Sequence, residues 1–183
     1  ADSLTNITGT ADSDTLEGTD LKETIFGKKG DDTISGGEGD DVIFGDQGDD
    51  ILDGGPGSDA LDGGSGDDTF IAGTGKDSFT GGGGADTFVF TLGEGSSNAQ
   101  LNLAAFGADG ISDFNRADGD KIKIFDTDGV TALANPFSGG SPVLTSDNSG
   151  LPGFTVVKVT ASNEVVFGIN GNETFTDADV TVA

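Results

Sequence analysis

From Gly9 to Val89 the chain repeats every nine residues, and this period limits the fold more than any other feature of the sequence. Nine consecutive units fit it, the central ones reading GGEGDDVIF (36–44), GDQGDDILD (45–53), GGPGSDALD (54–62) and GGSGDDTFI (63–71). Position 1 is Gly in eight units and Ala72 in the other. Position 6 is acidic throughout: Asp14, Glu23, Asp32, Asp41, Asp50, Asp59, Asp68, Asp77 and Asp86. Position 8 is large and apolar throughout: Leu16, Ile25, Ile34, Ile43, Leu52, Leu61, Phe70, Phe79 and Phe88. A solvated acidic face does not recur in phase with glycine turns and an apolar column, so the period describes a structural repeat.

Each position has a physical role. Glycines at positions 1, 2 and 4 allow a tight turn with positive φ and leave carbonyls uncovered by a Cβ. The acid at position 6 ends the turn and aims its carboxylate back into it. Positions 7 to 9 alternate out, in, out as a short strand, as in Thr33-Ile34-Ser35. Three residues cannot stand alone as a strand, so the units must stack around a shared apolar core. Two units make a turn of 18 residues, which sets residues 18 apart above one another at a spacing of about 4.8 Å. The expected fold is all-β, with short parallel strands stacked turn upon turn around that core.

This stacking gathers the acids into two rows. The first holds Asp14, Asp32, Asp50, Asp68 and Asp86, the second Glu23, Asp41, Asp59 and Asp77. Carboxylates at such spacing repel one another unless cations sit between them. Ca²⁺ suits the gaps, being a hard ion that takes six to eight oxygens from carboxylates and carbonyls, whereas Mg²⁺ demands stricter geometry and keeps its waters. The gaps number about seven, or about five without the pairs that include Asp14 or Glu23. Those two stand apart because position 4 is Asp12 and Leu21 there, and because position 6 of the second unit is Glu; the first two units read as a cap.

Composition narrows the function. Against 33 acidic residues there are 8 basic ones, a net charge of −25, which argues against partnership with nucleic acid or an anionic membrane surface. The absence of His and Cys removes the usual zinc, copper, haem and iron–sulfur ligands, the Ser-His-Asp and Cys-His nucleophile systems, and disulfides. No apolar run approaches the roughly 20 residues of a membrane span, so membrane insertion is not expected. The first residues, Ala1 to Leu4, lack the basic and apolar regions of a signal peptide.

The unit GGxGxDxUx, with U large and apolar, resembles that of the RTX (repeats-in-toxin) proteins secreted by Gram-negative bacteria, and the resemblance covers residues 9–89 unit by unit. It implies a right-handed parallel β-roll closed by a C-terminal β cap, in which the position-6 side chains and the turn carbonyls bind Ca²⁺. On this chain that role falls on the acids of the two rows and on the turn glycines Gly27, Gly36, Gly45, Gly54, Gly63 and Gly81.

Beyond Val89 the period is lost. Residues 1–8 read as a lead-in, 9–89 as the repeats and 90–183 as a capping region. Residues 91–110 read as a connecting loop. Ile111-Ser112-Asp113-Phe114 and Asp120-Lys121-Ile122-Lys123-Ile124 read as two short strands around a turn at 117–119, and are similar to the segment that closes the roll in RTX proteases, lipases and alginate epimerases. Asp113 has two readings there, a further metal ligand or a hydrogen-bonding residue at the strand end. Asp126-Thr127-Asp128-Gly129 reads as a turn, since an EF-hand loop would need Glu where Phe137 stands. Residues 135–153 read as a loop, and Phe154–Val159 with Glu164–Ile169 as a β-hairpin. Residues 175–183 resemble the uncleaved export signal of type I secretion substrates.

The function expected is that of an extracellular Ca²⁺-binding module, secreted or displayed at a Gram-negative-type cell surface, which folds on Ca²⁺ after type I secretion. The alternative is a structural subunit that self-assembles with Ca²⁺ into a surface layer, filament or adhesin. Catalysis is not expected, because the carboxylates are committed to metal and a chain without Trp or Tyr offers no aromatic-lined cleft. Ca²⁺ is the expected partner, with another copy of the chain or a cell-surface polysaccharide as further alternatives.

Overall fold

A computed structural model describes residues 5–71, 73–91, 110–113, 118–125, 144–147, 154–159 and 164–170. Among them there is no helix, and the repeats wind into a β-solenoid of about five turns. Strands alternate between two parallel sheets. The first stacks β1 (Thr5–Thr8), β3 (Glu23–Lys29), β5 (Val42–Gln47), β8 (Ala60–Ser65) and β11 (Ser78–Gly83). The second stacks β2 (Thr15–Thr19), β4 (Thr33–Gly37), β6 (Ile51–Asp53), β9 (Thr69–Ile71) and β12 (Thr87–Thr91). The register is that expected from the period, with Ile25 opposite Ile43 and Leu61 opposite Phe79 in one sheet, and Ile34 opposite Leu52 opposite Phe70 in the other. Two shorter pieces, β7 (Pro56–Gly57) and β10 (Thr74–Gly75), pair across successive turns.

Position 8 forms the core. Ile25, Ile34, Ile43, Leu52, Leu61, Phe70, Phe79 and Phe88 are all buried, and the three phenylalanines pack together. Phe70 stacks on Phe88 at a centroid separation of 4.9 Å, and Phe79 meets Phe70 edge-on at 5.9 Å. Leu16, at the N-terminal end, is only half-buried.

The structure extends the solenoid at both ends beyond the sequence period. The lead-in carries a strand of its own, β1, whose Ile7 lies opposite Ile25. After the repeats, the two expected short strands do not pair with each other. β13 (Gly110–Ile111) joins the first sheet beside β11, β14 (Lys121–Phe125) joins the second beside β12, and Ile111 is as buried as the repeat core. The hairpin is found as β16 (Phe154–Val159) and β17 (Glu164–Asn170), and β17 pairs in parallel with β13. The region 135–153 contains a strand, β15 (Leu144–Asp147), antiparallel to β16, where the sequence reads as a loop. Prolines and glycines on either side of Leu144-Thr145-Ser146-Asp147 mask this four-residue strand in a composition-based reading. The segments 92–109, 126–129 and 175–183, read above as loop, turn and export signal, lie outside the described residues.

Positive φ falls at positions 2 and 4, for example Gly37 (97°), Gly39 (127°), Gly64 (102°) and Gly66 (133°). Two residues with side chains occupy position 2 in this conformation, Lys28 (86°) and Asp46 (75°). Such a conformation costs an L-residue roughly 1–2 kcal/mol. The Asp46 charge also acts against Asp50 and Asp62. Asp46→Gly is therefore expected to stabilise the Ca²⁺-loaded protein by about 1 kcal/mol, a rise of roughly 2–4 °C in a calorimetric melting temperature.

Candidate metal centre

The inward-facing positions of each unit are 6, 8 and the next position 1: an acid, an apolar residue and a glycine, all buried in the central turns. The carboxylates of Asp32, Asp41, Asp50, Asp59, Asp68, Asp77 and Asp86 are at most 2% exposed. One oxygen of each is held by the turn before it. The backbone N–H of Asp14 donates to Asp32 Oδ1 (2.7 Å), that of Glu23 to Asp41 (2.7 Å), Asp32 to Asp50 (2.7 Å) and Asp41 to Asp59 (2.8 Å). The same bond joins Asp50 to Asp68 (2.8 Å), Asp59 to Asp77 (2.9 Å) and Asp68 to Asp86 (3.0 Å). Both rows are thus continuous ladders at a spacing of 18 residues.

The second oxygen is the notable one. Oδ2 of Asp32, Asp41, Asp50, Asp59 and Asp68 is buried without a hydrogen-bond partner. A buried unpaired carboxylate oxygen costs several kcal/mol unless a cation meets it. Each of these atoms points at the position-1 glycine of its own unit. A Cβ on Gly36 would lie 2.5 Å from Asp41 Oδ2 and 2.7 Å from the Gly54 carbonyl oxygen. A Cβ on Gly27, Gly45 or Gly63 would likewise fall between Oδ2 of Asp32, Asp50 or Asp68 and a carbonyl oxygen of the next turn, at 2.8, 2.7 and 2.9 Å respectively. Gly54 and Gly81 also face the Oδ2 of their own unit's acid, Asp59 and Asp86, but there the atoms nearest a Cβ all belong to that aspartate. The position-1 glycines do not have positive φ, so the reason for glycine there differs from the conformational one read from the sequence. Glycine at position 1 keeps open a space where carboxylate and carbonyl oxygens converge.

That donor set fits Ca²⁺, which accepts oxygens of both kinds in irregular geometry. Among the described residues no three acidic side chains converge on one point, so an ion here would draw on carbonyls as much as carboxylates. Without a cation the cost shows in the acidities. Burial, more than the neighbouring acids, pushes Asp68 up to about 7 and both Asp59 and Asp86 to about 6, with Asp32, Asp41 and Asp50 raised in the same direction.

The two N-terminal acids are placed differently. Asp14 Oδ2 accepts from the Thr10 N–H (2.6 Å) and its hydroxyl (2.9 Å), while Glu23 accepts from the Thr19 N–H (3.0 Å) and hydroxyl (2.7 Å). Thr10 and Thr19 stand at position 2, without the positive φ found at this position in the turns of Asp32, Asp41, Asp50, Asp59 and Asp68. A threonine thus occupies the oxygens that the later turns leave open. The sequence sets these two units apart by Asp12 and Leu21 at position 4 and by Glu23 at position 6 of the second; the contacts add the threonines at position 2.

Three groups of residues were not assigned from the sequence, or not settled. Asp120 Oδ1 accepts from the Asp86 N–H (3.0 Å), continuing the first row across a spacing of 34 residues. Asp113 accepts at both oxygens from the N–H groups of Gly81 and Gly82 (2.8 Å each), which gives it the hydrogen-bonding role. At position 5, Asp31, Asp49 and Asp67 each accept a backbone N–H from the next turn.

Residues 17–52 and 53–88 each match the family described as the RTX calcium-binding nonapeptide repeat (4 copies). Residues 17–88 are RTX calcium-binding repeats. No curated protein matches it. Two solution structures of subunits of the Azotobacter vinelandii mannuronan C5-epimerase are similar to this chain. AlgE6R3 is 23% identical over 94% of this chain and 80% of its own, with a TM-score of 0.44. AlgE6R2 is 29% identical over 97% and 92%, with a TM-score of 0.45. The RTX repeats are Ca²⁺-binding, and among the described residues no helix is long and apolar enough to cross a membrane.

Proposed function

We propose that this RTX module is an extracellular folding and binding module whose roll forms when Ca²⁺ enters its two rows of turns. The observation that carries this reading is the run of buried Oδ2 atoms without partners at Asp32, Asp41, Asp50, Asp59 and Asp68, each beside a glycine that leaves room for an ion. Between successive turns, the pairs Asp32–Asp50, Asp50–Asp68, Asp68–Asp86, Asp41–Asp59 and Asp59–Asp77 hold about five ions. Asp14 and Glu23, already satisfied by Thr10 and Thr19, close the N-terminal end. Asp86 and Asp120 extend the first row at the other end.

Metal-free, two columns of buried acids oppose the fold, so binding energy becomes folding energy. Sites in extracellular modules work at roughly 10⁻⁴–10⁻³ M Ca²⁺. At cytosolic Ca²⁺ the chain stays unfolded and fit for type I export; outside the cell it folds. The domain division follows, with repeats over 9–89 and a closing region over 90–183 that covers the last turn. On titrating Ca²⁺ into the chelated protein near neutral pH, far-UV circular dichroism is expected to gain β signal over the submillimolar to millimolar range. A flat titration would overturn the reading.

Self-assembly is the second reading. It is favoured by the half-buried Ile7 and Leu16, the 49% exposure of Leu21, and the place of β1 and β2 at the ends of their sheets among the described residues, since sheet ends invite strand addition. Sedimentation with and without Ca²⁺ decides between them: a compact monomer supports the folding module, large ordered species the assembling subunit.

A further inference from the structure

The two rows carry the same acids at position 6 but differ at position 5. In the first row, position 5 is Ser13, Asp31, Asp49, Asp67 and Ala85, and an unbroken side-chain ladder joins them. The Asp31 N–H donates to Ser13 Oγ (3.1 Å), Asp49 to Asp31 Oδ1 (3.0 Å), Asp67 to Asp49 Oδ1 (2.8 Å) and Ala85 to Asp67 Oδ1 (2.8 Å). In the second row position 5 is Lys22, Asp40, Ser58 and Lys76. A lysine cannot accept a hydrogen bond, and among the described residues one rung remains, Ser58 N–H to Asp40 Oδ1 (3.0 Å).

Both rows have backbone bonds between turns, such as Gly48 to Ser65 (2.9 Å) in the first and Gly39 to Pro56 (3.0 Å) in the second, so the asymmetry lies in the side chains. The position-5 ladder runs outside the carboxylate ladder and in the opposite sense: each position-5 acid reaches forward one turn, whereas each position-6 acid is held from the turn behind. As the roll forms, turns tied in both senses cannot slide or splay, so less ordering is left for the ion to drive. Charge acts in the same direction. Asp31, Asp49 and Asp67 add carboxylates beside Asp32, Asp50 and Asp68, while Lys22 and Lys76 set cations beside Glu23 and Asp77. The first row has its own lysines, Lys28 and Lys29, in a single turn. Ca²⁺ affinity rises with ligand charge and with rigidity of the site.

We propose that Asp31, Asp49 and Asp67 are positioning residues that lower the cost of ordering the first row's turns, so that the first row fills with Ca²⁺ before the second. This rests on the reading that both rows take Ca²⁺. Calorimetric titration of the full chain, with circular dichroism on the same samples, is expected to resolve two classes of site with dissociation constants about tenfold or more apart. Asp50→Asn with Asp68→Asn removes the tight class; Asp41→Asn with Asp59→Asn removes the weak class and spares the tight one. Asp49→Ala weakens the tight class about tenfold, and Asp49→Asn, which keeps an acceptor oxygen for the Asp67 N–H, restores most of it. A single class in the unaltered protein, a tight class that survives loss of Asp50 and Asp68, an Asp49→Ala protein that titrates normally, or an Asn variant that fails to restore binding would each overturn the proposal. The absence of any Ca²⁺ response would instead sink the calcium reading on which it rests.

Discussion

Stripped of Ca²⁺, the protein is expected to hold its roll better in mild acid than in mild base, and Ca²⁺ is expected to reverse that order. The carboxyls of Asp59, Asp68 and Asp86 have acidities displaced from 3.8 in the free side chain to about 6, 7 and 6 in the metal-free roll. A raised value means that the folded chain holds these protons more tightly than the unfolded chain. The resulting stability is present in full below about pH 4 and disappears as pH rises through about 7. With metal bound the carboxylates must be ionised, so protons compete with Ca²⁺ and acid loosens the fold. Circular dichroism of the chelated protein should show more β signal at about pH 5 than at about pH 8, where the metal-free chain is unfolded, whereas the Ca²⁺-loaded protein should melt on the order of ten degrees lower at about pH 5 than at about pH 8. A metal-free protein more stable at the higher pH would show that the buried acids are not the groups that oppose folding.

The second large effect is expected from a single methyl group. Gly45→Ala would place a Cβ against Asp50 Oδ2 and 2.7 Å from the Gly63 carbonyl oxygen, inside the space assigned to an ion. Since Gly45 does not have positive φ, the backbone tolerates alanine and the effect isolates the cavity. Crowding of this kind costs about 1–3 kcal/mol, and loss of the site should raise the Ca²⁺ midpoint about tenfold. Gly83→Ala is the matched control: a Cβ there meets nothing within 4 Å, and its effect should stay within about 0.5 kcal/mol. Equal behaviour of the two variants would remove position 1 from the metal centre.

Both predictions rest on residues that the sequence makes legible, because a period exposes whatever each rung repeats. The position-6 acids and the position-8 core follow from spacing alone, and with them the parallel register. What varies between rungs stays hidden. Asp49 and Lys76 share a position, so no pattern there announces a ladder on one side and a gap on the other. Thr10 and Thr19 look like ordinary departures from glycine, yet they decide that Asp14 and Glu23 are satisfied without metal. Asp120 escapes because an excursion of the chain sets it 34 residues from Asp86 instead of 18, although its bond is the one the repeats make. At position 1 the sequence offers two reasons for glycine, positive φ and carbonyls left uncovered, and the structure keeps only the second. Space and φ leave the same letter in a sequence, and only atoms tell them apart.

The strand register also fixes how such a chain can change length. Ile34, Leu52 and Phe70 share one column, so cutting out residues 45–62 would bring Ile34 against Phe70 and leave every later strand on its own sheet. Cutting out only residues 54–62 would instead carry every later repeat strand across to the opposite sheet, exchange the rows of all later acids and break the Asp49–Asp67 rung. The sequence counts in nines, but the molecule can lengthen or shorten without damage only in eighteens, as a staircase gains or loses whole flights.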